Sequence, residues 1–262
     1  MRTISLEETK QKLIRAHITG PHKSHSRQNN LSNLAKCVGG DPEYCFGVSG
    51  TTVVPEEEAL GYLARLTGCS DDLNDHAGYD TMDPDKTIAG MMAAARRLRD
   101  AARAGATLLT CTGHPTGMLE HYIRIVDAFR EAGGKVLYLR EDERFSRGRK
   151  SREAEIRYVG GVGCFADWGS LKHTHSSIGM EFLLEADPWP DLVLGDHGFA
   201  GAAIERGIST IAIMDINDPA LAIAWGQGKD VSIVPLDDNR PPRLYEPASR
   251  LYEHVIAGAD VI

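Results

Sequence analysis

Residues 107–117 read T-L-L-T-C-T-G-H-P-T-G, and this stretch shows the unit from which the second half of the chain is built. A strand-type run, 107–112, precedes a polar turn, and the proline that follows suits the first turn of a helix. The same order of short apolar strand, polar turn and helix recurs at 192–206, 210–225 and 231–256. Such an alternation predicts a buried, mostly parallel sheet with helices on both faces.

The two halves of the chain differ in pattern. Residues 1–104 predict helices and polar loops, and residues 105–262 predict an α/β catalytic core. We therefore expect an α/β protein with a three-layer, Rossmann-like sheet and an N-terminal helical lobe, folded as one compact unit. Besides the strands at 107–112, 192–195, 210–214 and 231–235, the pattern predicts a strand at 135–139 and a hairpin at 155–165 and 169–174.

Composition narrows the class of protein. The chain has 262 residues, of which 42% are hydrophobic and 25% charged, so it can bury a core. Its formal net charge of -8 disfavours general binding of nucleic acid. The five cysteines form no C-x-x-C pair, which disfavours disulfides and structural zinc. No signal peptide or membrane-spanning run is recognisable, so we expect a cytoplasmic protein with a small anionic metabolite as its partner, and a homo-oligomer stays open.

Polar residues collect directly after the predicted strands. Because ligands of open parallel sheets bind beyond the carboxyl ends of the strands, these turns are the expected site. They contain Gly113-His114-Pro115-Thr116-Gly117, His173-Thr174-His175-Ser176, Asp196-His197-Gly198, Asp215-Ile216-Asn217-Asp218-Pro219 and Asp237-Asp238-Asn239. Of the ten histidines, four lie in these turns, and scattered surface histidines do not cluster in this way.

The individual turns suggest roles. Gly113 to Gly117 can hold a phosphate at a helix N-terminus, although a solvated helix start explains the pattern equally well. His173 and His175 point to one side if they lie in a strand, where they could bind a metal or an oxyanion. Asp196 suits a metal ligand or a base, against the alternative of a helix cap. We assign Asp218 to a cap and Asp237 and Asp238 to turns.

Two further segments could contact an anion. Arg27, with His25 and Asn30 nearby, could cap the site and hold a phosphate, although a polar helix start is the commoner explanation. The basic run 144–152 is either a solvated loop or a flap over the substrate. No P-loop, G-x-G-x-x-G, G-x-S-x-G or H-E-x-x-H motif is present, so we expect neither NAD nor haem.

The motifs taken together resemble a bacterial family, common in actinobacteria, that is labelled phosphatase. They are R-x-N-N-L (27–31), T-G-H-P-T-G (112–117), Y-V-G-G-V (158–162), G-S-L-x-H-T-H-S (169–176), D-H-G-F-A-G-A-A (196–203) and N-D-P-A-L (217–221). The resemblance implies hydrolysis of a small phosphomonoester. By motif match it implies a site made of Arg27, Asn30, His114, His173, His175, Asp196 and His197.

We therefore predict a phosphoric-monoester hydrolase acting on a sugar phosphate, a nucleotide or a related metabolite. The expected phosphate-binding residues are Arg27, Asn30, Gly113, Thr116, Gly117 and His173. A divalent ion (Mg²⁺, Mn²⁺ or Zn²⁺) is expected on His173, His175, Asp196 and Asp215, and His114, Asp196 and His197 are the expected catalytic residues. If no metal binds, a phosphohistidine intermediate is conceivable. The alternatives are a metal-dependent amidohydrolase, a sugar-phosphate lyase or isomerase, and a non-catalytic phosphometabolite-binding module.

Overall fold

The structure is a computed structural model that describes residues 3–146 and 153–262. Its helices are α1 Leu6–Ala16, α2 Arg27–Val38, α3 Pro42–Cys45, α4 Glu56–Thr67, α5 Pro84–Arg103, α6 Pro115–Glu131, α7 Ile178–Leu183, α8 His197–Glu205, α9 Pro219–Gly226 and α10 Glu246–Ile256. Its strands are β1 Gly20–Pro21, β2 Thr81–Met82, β3 Thr107–Thr112, β4 Lys135–Val136, β5 Arg144–Ser146, β6 Glu153–Val159, β7 Val162–Asp167, β8 Ser170–Leu171, β9 Leu192–Gly195, β10 Thr210–Met214 and β11 Val231–Pro235.

The main sheet is open and mostly parallel. Its strand order is β11-β10-β9-β3-β7-β6-β5, and β4 and β8 add short pairings to β3 and β7. The five strands from β11 to β7 run parallel, and β6, β5 and β8 pair antiparallel at the other end of the sheet. The predicted α/β class with a mostly parallel sheet is confirmed.

Helices cover both faces of this sheet. Alternate strand residues point to opposite faces, so Leu108 and Leu192 pack in one core while Leu109 and Val193 pack in another. Residues of α1, α5, α6 and α10 fill the first core, and residues of α2, α4, α7, α8 and α9 fill the cores of the other face. The helices before residue 104 thus share cores with the later ones, and the division of the chain at 104 stays a prediction.

The order of the strands creates a crevice between β3 and β9. These strands are neighbours, yet the chain leaves them in opposite directions: β3 leads through α6 towards β7, and β9 leads through α8 to β10. Helix α6 packs on one face and α8 on the other. Such a point, where the connections diverge, is where open α/β sheets bind ligands.

Four segments differ from the sequence-based expectation. The predicted strand at 135–139 ends at Val136. The run predicted as one strand at 155–165 is the hairpin of β6 and β7, because Gly160 and Gly161 turn the chain with φ angles of 60° and 86°. The predicted strand at 169–174 ends at Leu171, so the two histidines beyond it lie outside a strand. Of the basic run, Arg144–Ser146 forms β5, and residues 147–152 lie outside the described residues, so the flap stays a prediction.

In the part of the chain that the structure describes, no helix has both the length and the apolarity needed to cross a bilayer.

Candidate functional site

A cavity of about 390 Å³ lies at the carboxyl edge of the parallel strands. Turns after the strands supply most of its wall, and helices α2 and α3 with the loop before α2 supply the rest. The lining residues are His25, Asn29, Asn33, Tyr44, His114, Thr116, His173, His175, His197, Asn217, Asp238 and Asn239. A larger cavity of about 510 Å³ lies among α5, α6 and α10, but none of the described residues that line it is a histidine or a cysteine. The chemistry is therefore concentrated in the smaller cavity.

The structure brings the four turn histidines together. The ring centroids of His114 and His173 lie 4.5 Å apart, and those of His175 and His197 lie 4.6 Å apart. His173 and His175 are separated by 4.8 Å, and His114 and His197 by 5.3 Å. Three separate chain segments thus place their imidazoles in one cavity.

Asp196 fixes the geometry of the crevice. Its fully buried carboxylate accepts hydrogen bonds from the Gly113 N–H at 2.5 Å and from the Thr112 hydroxyl at 2.6 Å. Its side chain makes no capping bond to α8, so the alternative of a helix cap is not what the structure shows. Asp196 therefore ties the turn after β3 to the turn after β9. Both of its oxygens already accept hydrogen bonds from this turn.

Two glycines permit close approach of the backbone around His114. A Cβ on Gly113 would lie 2.3 Å from the Thr174 carbonyl oxygen, and one on Gly117 would lie 2.6 Å from that of Asp238. The N–H groups of Gly113 and Gly117 donate to Asp196 and to the His114 carbonyl, respectively, rather than to a ligand. The predicted phosphate-binding role of these two N–H groups therefore does not fit the structure, whereas the exposed Thr116 lines the cavity.

His197 occupies an unusual backbone conformation. It is the first residue of α8, its φ is 43°, and only 2% of it is exposed. A non-glycine residue in this region costs free energy, and such strain is often found at functional sites. The next residue, Gly198, leaves room for the segment that carries the other histidines, because a Cβ there would lie 2.3 Å from the His175 carbonyl oxygen.

Asp238 lies between two of the histidines. Its Oδ1 is 3.2 Å from His114 Nδ1, and its Oδ2 is 3.4 Å from His197 Nε2. Burial opposes ionisation of Asp238, but the two imidazoles hold its pKa well below its usual range. Burial likewise opposes protonation of His197, but Asp218, Asp238 and Asp196 outweigh it and raise the pKa of His197 to about 10. Positive charge is therefore favoured at this position, whether it is carried by the protonated imidazole or by a metal ion that replaces the proton.

His173 and His175 are kept neutral. Burial and the neighbouring His197 lower the pKa of His173 to about 4 and that of His175 to about 3. A neutral imidazole has a lone pair for a metal ion. The His175 ring lies edge-on to Phe46 at 5.3 Å, which fixes its orientation.

Three groups of side chains in the described residues could hold a metal ion: His114, His173 and His197; His197, Asp218 and Asp238; and His22, Asp215 and Asp237. The first two share His197, and we call their five residues the histidine cluster. We call the third group, with His25, the Asp215 cluster, because His25 Nε2 lies 3.9 Å from Asp215 Oδ2. The predicted metal set is thus divided: His173 and Asp215 belong to different clusters, and neither His175 nor Asp196 belongs to one of these groups.

Arg27 and Asn30 lie outside the cavity. The Arg27 guanidinium, which is almost fully buried, pairs with Asp80 at 3.1 Å and donates to the carbonyl oxygens of Asp72 and Asp75. The Asn30 amide donates to the same Asp80 carboxylate at 2.7 Å. These contacts hold the loop before β2 against α2. Arg27 and Asn30 thus have structural partners and do not line the cavity, and their predicted phosphate-binding role stays a prediction.

Several residues of the two clusters were missed or undervalued in the sequence. Asp237 and Asp238 follow β11 and satisfy the same strand-end rule that selected the others. Asp218 resembles a helix cap, but its side chain makes no capping bond; it accepts the Asp215 N–H at 3.0 Å instead. His22 has no signal of this kind, because it precedes every strand of the main sheet.

Comparison with known proteins gives two findings. The model of a family described as Phosphatase matches residues 4–260. A protein named Phosphatase SCO2771, from Streptomyces coelicolor, is 36% identical over 252 residues, which cover 94% of this chain and 94% of that protein.

Proposed function

Because the chain belongs to the Phosphatase family, we propose that it hydrolyses a small phosphomonoester in the cavity lined by the turn histidines. The observation that supports this proposal most strongly is the convergence of four imidazoles at the divergence point of the sheet. Imidazoles offer metal ligands, proton carriers and hydrogen-bond donors to an oxyanion, which are the groups that phosphate-ester hydrolysis needs.

The phosphate would not be held by a guanidinium. Among the described residues, no lysine or arginine lines the cavity. The negative charge of the phosphate must then be offset by protonated imidazoles, by a bound cation and by the N-terminal end of α6, whose dipole favours anions. Thr116 in the first turn of this helix has its hydroxyl available for a phosphate oxygen.

The histidine cluster has the composition of a divalent metal site. Its three imidazoles and two carboxylates match the nitrogen and oxygen ligands of Zn²⁺ or Mn²⁺ better than the oxygen ligands that Mg²⁺ prefers. A bound ion would supply charge stabilisation and an activated water. Asp238 contacts both His114 and His197 and orients their rings towards each other.

The rest of the wall fits an uncharged, hydroxyl-rich leaving group. Asn29, Asn33, Asn217 and Asn239 all line the cavity. Asn217 is 8% exposed, and its Oδ1 has no hydrogen-bond partner among the described residues. Side-chain amides donate and accept hydrogen bonds, as sugar hydroxyls do. This lining supports a sugar phosphate or a nucleotide as the substrate class.

Phosphate release tests the proposal. The purified protein is treated with a chelator, supplied with Mn²⁺ or Zn²⁺, and assayed against sugar phosphates, nucleotides and an aromatic phosphomonoester. We expect metal-dependent release that His173→Ala lowers at least about 100-fold and that His76→Ala, at an exposed histidine outside the cavity, leaves unchanged. No release from any ester would overturn the proposal and favour a binding module. Release equal in wild type and His173→Ala would overturn the assigned site.

A further inference from the structure

We propose that the Asp215 cluster holds a second divalent cation next to the one in the histidine cluster, so that the active site is a two-metal centre. This inference rests on the proposed function, because both clusters border the cavity in which we propose that the phosphomonoester is hydrolysed. His25 from the Asp215 cluster and Asp238 from the histidine cluster both line it.

The first observation is an unsatisfied oxygen on Asp215. This residue is fully buried, and its Oδ1 accepts hydrogen bonds from His22 Nε2 at 2.8 Å and from the Ile216 N–H at 2.7 Å. Its Oδ2 accepts none from the residues that the structure describes. A buried carboxylate oxygen without a donor is costly, and a cation at this oxygen would remove the cost.

The second observation is the pair of hydrogen bonds at His22, which decides the position of its ring proton. Its Nδ1 accepts the backbone N–H of His25 at 3.2 Å, so the proton of the neutral ring is on Nε2, where it is donated to Asp215. A protonated nitrogen does not bind a metal. His22 is therefore a positioning residue, which occupies Oδ1 and leaves Oδ2 of Asp215 free.

Asp237 supports this arrangement from the other side of His22. Its Oδ2 lies 3.5 Å from His22 Nε2, and its carboxylate accepts the Ser24 hydroxyl at 2.7 Å and the Asn239 N–H at 3.0 Å. Asp237 therefore contributes negative charge beside His22. Because its oxygens already have donors, it is not needed as a ligand.

The ligand that faces Asp215 is His25. The distance from its Nε2 to Asp215 Oδ2 is 3.9 Å, and 23% of the His25 side chain is exposed. Two ligand atoms that each lie about 2.0–2.2 Å from one zinc ion are at most about 4.4 Å apart. One cation therefore fits between His25 and Asp215 without movement of the backbone, and the exposed part of His25 gives it a path of entry.

Buried carboxylates in both clusters have oxygens that a cation could contact. Asp215, Asp218 and Asp238 are essentially fully buried, and each has an oxygen without a hydrogen-bond partner among the described residues. In enzymes with two metals about 3.5–4 Å apart, the pair holds both the attacking and the leaving oxygen.

Metal stoichiometry tests the inference. The chelator-treated full chain is titrated with Mn²⁺, and bound metal is measured by equilibrium dialysis, with circular dichroism as a check on folding. We expect the wild-type protein and His76→Ala to bind two equivalents, and Asp215→Asn and His25→Ala to bind one. His22→Gln is expected to bind two, the second about 10–100-fold more weakly, because only the support of Asp215 is lost.

The outcomes separate this inference from the proposed function. A wild-type protein that binds one equivalent and still releases phosphate would overturn the second site and leave the function standing. An Asp215→Asn variant that is folded and binds two equivalents would also overturn it. A fall from two bound equivalents to one in both Asp215→Asn and His25→Ala would establish the second site, even if no phosphomonoester tested were a substrate.

Discussion

His114 Nδ1 lies 3.2 Å from Asp238 Oδ1, although the two residues follow strands at different positions in the parallel sheet. His114 follows β3 at the divergence point, and Asp238 follows β11 at the sheet edge. Two strands separate β3 from β11, so a contact between these residues closes the crevice across the ends of β9 and β10. The strands in between supply His197 and Asp215 to the enclosed space.

Asp238→Asn is the first variant that this contact suggests. An amide keeps the shape of the side chain but removes the charge that two imidazoles stabilise. We expect the affinity for the first metal ion, and phosphate release with it, to fall about 10–100-fold. The control is Asp191→Asn. Asp191 lies directly before β9, at the amino ends of the parallel strands, where it accepts a hydrogen bond from the Thr107 hydroxyl. Unchanged metal binding in Asp238→Asn would contradict the role given to this carboxylate.

Gly113→Ala tests the packing of the turn. The added Cβ would meet the Thr174 carbonyl oxygen at 2.3 Å, so the segment that carries His173 and His175 must move. A displacement of this size at an active site can lower the rate about 100-fold, and we expect such a loss of phosphate release. At Gly169 an added Cβ meets nothing within 4 Å, so Gly169→Ala should retain full activity. Equal activities in the two variants would show that the turn is not constrained.

Arg27→Ala distinguishes a structural role from phosphate binding. The variant leaves the Asp80 carboxylate buried without its ion pair, which typically costs about 3–5 kcal/mol in the free energy of unfolding. We expect this loss in urea denaturation, with KM for the phosphomonoester unchanged in the folded fraction. A raised KM with unchanged stability would restore Arg27 to the substrate site.

His121→Gln tests a pH effect away from the cavity. Burial, helped by Arg124, lowers the pKa of His121 in the folded protein to about 3, against about 6.5 in the unfolded chain. As the pH falls below about 6.5 the unfolded chain takes up a proton that the folded protein refuses, so stability is lost towards acid.

At about pH 5 this loss amounts to about 2 kcal/mol from His121 alone, since each pKa unit corresponds to about 1.4 kcal/mol. Urea denaturation of wild type and variant at about pH 7.5 and pH 5 measures it. The variant should lose less stability than the wild type between the two values. Identical losses would mean that His121 is protonated in the folded protein.

Much of the fold and part of the site follow from one rule, that polar residues cluster where apolar parallel strands end. The rule identified Gly113-His114, Asp196-His197 and Asp215, and the structure brings all of them to one edge. It also covers Asp237 and Asp238, but a pair of aspartates before an asparagine is equally typical of a turn. Only the distances from Asp237 to His22 and from Asp238 to His114 show that these aspartates belong to the two clusters and not to an ordinary turn.

The residues that lie elsewhere than the sequence suggested have partners that are distant in sequence. Arg27 and Asn30 have the side chains of a phosphate site, and nothing near them shows that Asp80 uses both. His22 contacts Asp215, which lies 193 residues later in the sequence, so no local pattern reveals that pair. Strand-end residues can be predicted because the sheet places them, whereas pairs that involve the N-terminal residues 22–80 require the coordinates.

Anomalous diffraction from crystals grown with Mn²⁺ and inorganic phosphate would show directly where the metal and the phosphate bind. We predict a manganese peak among His114, His173, His197 and Asp238, with the phosphate on the cavity side of that ion. Manganese bound only elsewhere, or phosphate bound away from these imidazoles, would contradict this prediction.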